Sequence, residues 1–95
     1  MAEAAFQGKV IRWLKSKGCF VIKTQAGPAT PVGTPDLIAL FPGGGWCALE
    51  IKASAKSKYQ PLQKVTIAKL DAMYFSRAVW PENWDEIKKE LDKII

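Results

Sequence analysis

Two carboxylates and a lysine are the residues of this chain whose types and spacing best suit catalysis. Asp36 follows a proline, and Glu50 comes 50 − 36 = 14 positions later in the tripeptide Glu50-Ile51-Lys52. Side chains alternate between the two faces of a strand, so Glu50 and Lys52 should point to one side and Ile51 to the other. If the strand that carries Asp36 pairs with this one, the three polar groups meet.

The chemistry that this group suits is metal-assisted hydrolysis. Two carboxylates that face a shared space repel each other unless a cation lies between them. The carboxylates of Asp36 and Glu50 and the backbone carbonyl of Ile51 are oxygen ligands, which suit the hard ion Mg²⁺, with Mn²⁺ as a substitute. Such an ion activates water and neutralises charge on a phosphate. Lys52 could orient or deprotonate that water, or stabilise the pentacovalent phosphate, and the sequence leaves these roles open.

The composition excludes several other kinds of catalytic and metal site. The chain has no histidine, which excludes histidine general bases and histidine metal ligands. Cys19 and Cys47 have none of the short-spaced partners that a zinc site needs, so we predict that they are reduced core residues. Any catalysis must therefore use carboxylates and lysine.

Charge and length narrow the class of protein further. The 95 residues suffice for a single domain over 1–95, and 14 Lys and Arg against 9 Asp and Glu give a net charge of +5. This balance favours a polyanionic partner such as nucleic acid. No apolar run approaches the ~20 residues of a membrane span, and the first residues do not resemble a secretory signal. We therefore predict a cytoplasmic protein without a membrane partner.

A β-hairpin should bring the two carboxylates together. Residues 36–41 predict a buried strand, residues 42–45 a glycine turn, and residues 46–52 the second strand. In an antiparallel pair the start of the first strand lies opposite the end of the second. Asp36 is therefore expected beside Glu50.

The other elements are predicted from apolar periodicity and from proline and glycine positions. They are a helix over 3–17, a strand over 19–22, a loop over 24–35, a helix over 61–73, a strand over 74–80 and a last helix over 84–93. The second helix should bury an apolar stripe made of Leu62, Val65, Ile67, Ala68 and Leu70. The order αβββαβα predicts an α/β fold with a central mixed sheet flanked by helices.

A Pro-Asp dipeptide followed by Glu-x-Lys resembles the signature of the PD-(D/E)xK nuclease superfamily. Within it, the chain most resembles the stand-alone virus-type replication-repair nuclease (VRR-NUC) domain of phages and bacteria, over nearly its whole length. The residues that carry the resemblance are Gly33, Pro35, Asp36, Glu50, Lys52 and Gln63, with Glu3 on the first helix. The proline-rich loop before Gly33 and the region after Met73 depart from the family pattern.

The resemblance implies a restriction-endonuclease-like core and Mg²⁺-dependent cleavage of DNA phosphodiester bonds. Minimal members resemble Holliday junction resolvases, which act on branched DNA as homodimers. The resemblance also implies that Glu3 reaches the metal, directly or through a water. Gln63 would correspond to the glutamine that follows Glu-x-Lys in several families, with Gln60 as the competing candidate.

Further residues are predicted to contact DNA or a second subunit. Lys56, Lys58 and Lys64 would surround the site with positive charge, which suits a phosphate backbone. Lys23 and Gln25 are placed at the start of the irregular loop, where they could contact a strand entering the site. For a dimer interface the candidates are apolar residues of the last helix with Phe75, Trp80 and Trp84.

Three other functions stay open at this point. One is a flap, duplex-repair or restriction-type endonuclease, which should cut linear or flapped DNA as well as junctions. Another is a non-catalytic nucleic-acid-binding module of the same fold. The third is a protein-binding or toxin-control domain, which predicts no metal-dependent binding or cleavage of DNA.

Overall fold

Helices and strands follow one another along the chain in the predicted order αβββαβα. The computed structural model describes residues 2–95. Its elements are α1 (Glu3–Ser16), β1 (Phe20–Lys23), β2 (Leu37–Leu40), β3 (Trp46–Ile51), α2 (Gln63–Met73), β4 (Ser76–Val79) and α3 (Trp84–Asp92). The predicted α/β class is confirmed, although most predicted elements extend beyond the observed ones. No helix within residues 2–95 combines the length and the apolar character needed to cross a membrane.

The four strands form one mixed sheet in the order β1-β2-β3-β4. β1 pairs with β2 and β2 with β3 in antiparallel orientation, whereas β3 and β4 are parallel. A parallel pair needs a crossover connection, and α2 supplies it. The predicted central mixed sheet is therefore confirmed.

The hairpin of β2 and β3 turns through a glycine segment. Leu40 pairs with Trp46 next to the turn, and Leu37 pairs with Leu49 at its open end. Gly45 has a φ of 92°, and a Cβ atom there would lie 2.5 Å from the hydroxyl oxygen of Tyr74. Glycine is thus required at this point both for the turn and for the close approach of the tyrosine.

The hydrophobic core lies between one face of the sheet and the two helices α1 and α3. Ring contacts join the helices, because Trp84 meets Phe6 and Trp13 edge-on at centroid distances of 6.2 and 5.4 Å. The buried residues on this side include Val10, Leu14, Leu37, Ala39, Cys47, Leu49, Ile51, Val79, Ile87 and Leu91.

The core contains most residues that had been candidates for a dimer interface. Trp84 is 2% exposed, and Phe75 is also buried. Ile87 and Leu91 of α3 are likewise buried, because the apolar side of this helix faces the sheet. These side chains cannot form an interface, so that prediction is wrong for them.

Helix α2 packs against β3 and β4 on the opposite face of the sheet. Its predicted buried stripe is largely wrong, because Leu62, Val65 and Ala68 are exposed and the one buried residue of the helix is Gln63. The reason is that the helix begins over polar side chains of the sheet, and Gln63 is the residue that can satisfy them. The helix also begins two residues later than the predicted Pro61.

The two cysteines are free and buried, as predicted. Burial, with a smaller contribution from Cys19, raises the pKa of the Cys47 thiol to about 12. A thiol that stays protonated is a poor nucleophile and a poor metal ligand. Both residues therefore serve packing.

Candidate active site

The β2–β3 hairpin brings Asp36 and Glu50 together at its open end. Leu37 pairs with Leu49, so the next step along the ladder sets Asp36 opposite Glu50. One carboxylate oxygen of Asp36, Oδ2, accepts a hydrogen bond of 2.9 Å from the backbone N–H of Ile51. The side chain of Ile51 lies in the core, and Lys52 contacts Glu50 on the other face. The predicted alternation along this strand is confirmed.

Glu50 is a buried carboxylate with one unsatisfied oxygen. Its residue exposure is 3%, and Oε1 finds no hydrogen-bond partner within residues 2–95. Burial and then the neighbouring Asp36 raise the pKa of Glu50 to about 7, against the opposing effect of Lys52. An unpaired carboxylate oxygen beside a second carboxylate is a donor set that fits a hard divalent cation.

Gln63 links Glu50 to Lys52. Its amide nitrogen Nε2 donates to Glu50 Oε2 at 3.0 Å, and its oxygen Oε1 accepts from Lys52 Nζ at 3.0 Å. The backbone N–H of Gln60 donates to the same Gln63 oxygen at 2.7 Å. Of the two candidate glutamines, Gln63 is therefore the one whose side chain enters the site, and Gln60 orients it through its backbone.

The ammonium group of Lys52 is held by several partners. Besides Gln63 it donates to the backbone carbonyl of Lys58 at 2.8 Å, and it lies 3.6 Å from Glu50 Oε2. The ring of Tyr59 lies 4.6 Å from Lys52 Nζ and 4.9 Å from Lys64 Nζ. This aromatic contact with two lysines was not predicted, although an aromatic residue among the lysines before Gln63 was a usable signal.

An open cleft of about 360 Å³ leads from the surface to Asp36 and Gln63. One wall is the irregular loop over residues 24–34, which includes the predicted contact residue Gln25, and the other is formed by Gln60 and Pro61. The hydroxyl of Thr24 donates to the carbonyl of Pro35 at 2.6 Å, which fixes the start of the loop beside the site.

The predicted DNA-contacting lysines lie at the surface. Lys58 and Lys64 line a hollow of about 590 Å³ that adjoins the cleft along the segment before α2. Lys56 is exposed in that same segment, and Lys23 is exposed at the end of β1. The positive charges of the segment therefore lie near the carboxylates without neutralising them by direct contact.

Glu3 is the predicted site residue that the structure does not bring to the others. It lies in the exposed first turn of α1, and residues 2–95 contain no group of three His, Cys, Asp or Glu side chains arranged to hold a metal. Helix α1 directs Phe6, Val10 and Leu14 into the core on the opposite face of the sheet. Direct ligation by Glu3 is not supported, and its contact through water stays a prediction.

The two walls of the cleft meet at Gly33 and Leu62. A Cβ atom on Gly33, whose φ is 86°, would lie 2.8 Å from the carbonyl oxygen of Leu62 and from Thr66 Oγ1. Leu62 has a φ of 68° and a ψ of −4°, a left-handed conformation that costs about 1 to 2 kcal/mol for a residue with a side chain. Nothing in the sequence around Leu62 predicted this conformation.

Comparison with known proteins does not identify a family for this chain. No protein-family model matches the chain, and no curated protein matches it.

Proposed function

We propose that this chain is a Mg²⁺-dependent endodeoxyribonuclease of the PD-(D/E)xK type, with a VRR-NUC-like, restriction-endonuclease-like fold, that cuts branched DNA. The observation that carries the proposal is the pair of a partly buried Asp36 and a buried Glu50. Glu50 keeps one oxygen unpaired, and an open cleft reaches its neighbour Asp36. A fold that buries a carboxylate oxygen without a partner loses stability unless a ligand uses that oxygen.

Asp36, Glu50 and the carbonyl of Ile51 would hold the cation. Mg²⁺ suits an all-oxygen site, and Mn²⁺ would replace it. When bound, the ion supplies activation of water and neutralisation of charge on the phosphate. The chain keeps this site ready because Asp36 Oδ2 is fixed by the N–H of Ile51 and Glu50 Oε2 by Gln63.

Lys52 acts through its positive charge. Its ammonium group donates hydrogen bonds to Gln63 and to the Lys58 carbonyl, and these bonds hold it next to Glu50. A fixed cation at that place stabilises the negative charge that develops on the phosphate in the transition state. Among the roles open from the sequence, we propose this one.

Binding relies on the phosphate backbone. Lys56, Lys58 and Lys64, with Lys23 and Gln25 across the cleft, are exposed and able to contact phosphates. Such contacts fix the position of DNA and carry no base preference. The proposed enzyme therefore selects the shape of its substrate more than its sequence.

The test of this function uses labelled four-way junction, flap and continuous duplex with Mg²⁺, Mn²⁺ or EDTA. We expect cleavage with either metal, none in EDTA, and loss of at least about a thousandfold in rate for Asp36→Asn. The matched control is Asp85→Asn, which removes an aspartate that is 91% exposed on α3 and should leave the rate unchanged.

Each outcome separates one function from another. Paired nicks on the junction alone support a resolvase, and equal cutting of flap or duplex supports a repair or restriction-type endonuclease. Metal-independent DNA binding without cleavage by the unmodified protein would favour a non-catalytic binding module. Absence of both binding and cleavage would favour a protein-binding domain and would overturn the proposal.

We further propose a homodimer through the uncovered face of β1 and β2. Phe20 is 68% exposed, and its partner Leu40 and the nearby Ile22 are also exposed on the same face. Helix α2 covers β3 and β4 but leaves this half of the sheet open. Symmetric cleavage of a four-way junction needs two sites related by a two-fold axis, which a dimer supplies.

Phe20→Glu is expected to convert the dimer to a monomer, because it places a charge within the apolar face of β1 and β2. Analytical ultracentrifugation at micromolar concentration measures this. Met73→Glu is the control, since Met73 is another exposed apolar residue but lies on α2, and it should leave the dimer intact. A monomeric unmodified protein would contradict the proposed dimer without affecting the proposed chemistry.

A further inference from the structure

Leu62 is unusual in two respects, its backbone conformation and its residue type at the position before a helix. It is the one non-glycine residue within residues 2–95 that has a positive φ, a conformation that favours glycine or asparagine. It also precedes the first residue of α2, where a serine, threonine, asparagine or aspartate side chain normally accepts a hydrogen bond from the helix, and no side chain does so here. A change to glycine or asparagine would remove the strain.

The side chain of this strained residue faces solvent. Leu62 is 55% exposed, so burial in the core does not explain why a leucine is present. A single exposed leucine needs no explanation, but a leucine that is both exposed and strained does. Strain that the fold maintains without a packing gain is typical of functional positions.

Contacts to its backbone carbonyl hold Leu62 in place. The backbone of Gly33 lies directly against the Leu62 carbonyl, and the same carbonyl accepts a hydrogen bond of 2.9 Å from the N–H of Thr66. Its backbone is therefore fixed between the irregular loop and α2. The exposed side chain is presented by a rigid support.

A second aliphatic residue lies on the opposite wall. Val32, immediately before Gly33, is 69% exposed and lines the cleft that holds Asp36. Leu62 lines the adjoining hollow, and the next residue, Gln63, bonds to Glu50. Two exposed aliphatic side chains thus lie beside the site, Val32 in the cleft that holds Asp36 and Leu62 in the adjoining hollow. We call Val32 and Leu62 the apolar rim.

The partner of the apolar rim must combine negative charge with apolar surface. Exposed lysines lie beside Leu62, with Lys58 and Lys64 lining the same hollow, which favours a phosphate backbone. In a continuous duplex the flat faces of the bases are covered by their neighbours. They become available where stacking is interrupted, and aliphatic side chains then pack against them.

We propose that the apolar rim binds unstacked nucleotides at a branch point and thereby makes the site prefer branched DNA to continuous duplex. This inference rests on the proposed nuclease function and names the residues that set its substrate class. It also accounts for the strain at Leu62, because a residue that relieved the strain would remove the apolar contact.

The test compares Leu62→Gly with Leu62→Met, both in the Asp36→Asn background so that DNA stays intact. Affinities for a four-way junction and for a continuous duplex of equal length are measured by fluorescence anisotropy. Leu62→Gly is expected to lower the ratio of the two affinities about tenfold, while its melting temperature stays equal or rises. Leu62→Met keeps an apolar side chain and is expected to keep the ratio.

Two further measurements make the result decisive. Met73→Ala removes an exposed apolar side chain at the far end of α2 and should leave the ratio unchanged. A 2-aminopurine probe at the branch point should brighten on binding of the Asp36→Asn protein and brighten much less with Leu62→Gly.

An unchanged ratio and unchanged fluorescence in a folded Leu62→Gly protein overturn the inference and leave the nuclease proposal standing. Failure of the unmodified protein to bind any DNA overturns both the inference and the nuclease proposal. Binding of the protein to an acidic apolar peptide but not to DNA also overturns both.

Discussion

Lys52→Met is expected to lower the rate of DNA cleavage at least about a hundredfold at saturating protein concentration. Methionine keeps the length of the side chain but removes the charge and its hydrogen bonds to Lys58 and Gln63. The transition state then loses a fixed cation next to the phosphate. Single-turnover kinetics with Mg²⁺ measures the rate, and circular dichroism checks that the variant is folded.

Lys56→Met is the matched control for this prediction. Lys56 lies in the same segment but is exposed, so its loss should weaken DNA binding in a salt-dependent way and leave the saturated rate within about threefold. If Lys52→Met behaves like Lys56→Met, then Lys52 serves binding alone and its proposed place in the chemistry is wrong.

Glu50→Gln is expected to abolish cleavage and, in EDTA, to stabilise the protein at alkaline pH. The pKa of Glu50 is raised to about 7 from an ordinary value of 4.5, by burial first and by Asp36 second. Because the folded-state pKa lies above the ordinary value, the stabilising contribution is complete below pH 4.5 and is lost as the pH rises through about 7. The difference of 7 − 4.5 corresponds to ~3 kcal/mol as an upper bound.

Urea unfolding in EDTA from about pH 5 to about pH 8 measures this effect. The free energy of unfolding of the unmodified protein should fall over that interval, whereas that of Glu50→Gln should stay nearly constant and exceed it at the upper end. Glu82→Gln, at an exposed glutamate, should follow the unmodified protein. A curve for the unmodified protein that is flat over this range would contradict the raised pKa of Glu50.

The hairpin could be predicted from sequence because its information is local. The glycine turn over residues 42–45 and the alternation of Glu50, Ile51 and Lys52 fix which side chains share a face. The register of Leu37 with Leu49 then follows from the turn. This is why the meeting of Asp36 and Glu50 could be predicted without a structure.

The surroundings of α2 could not be predicted, because apolar periodicity assumes an apolar surface beneath the helix. The sheet presents Ser76, Ala78 and the polar pair of Glu50 and Lys52 on that side, so Gln63 is buried and Val65 is exposed. The left-handed Leu62 makes the helix begin at Gln63 and leaves Pro61 outside it, although proline usually favours a first helical turn. Both differences lie at the proposed active site, where local rules are most often broken.

The parallel pairing of β3 with β4 has a consequence for the order in which the molecule folds. Asp36 and Glu50 belong to a hairpin closed by a short turn, whereas β3 pairs with a strand much farther along the chain, as Glu50 does with Ala78, after α2 has crossed the sheet. Closing a short loop is entropically easier than closing a long one, so the hairpin is favoured to form first. The two negative charges would then meet before α2 has packed against both β3 and β4. The divalent cation proposed for this pair would neutralise the two charges and so stabilise that early hairpin.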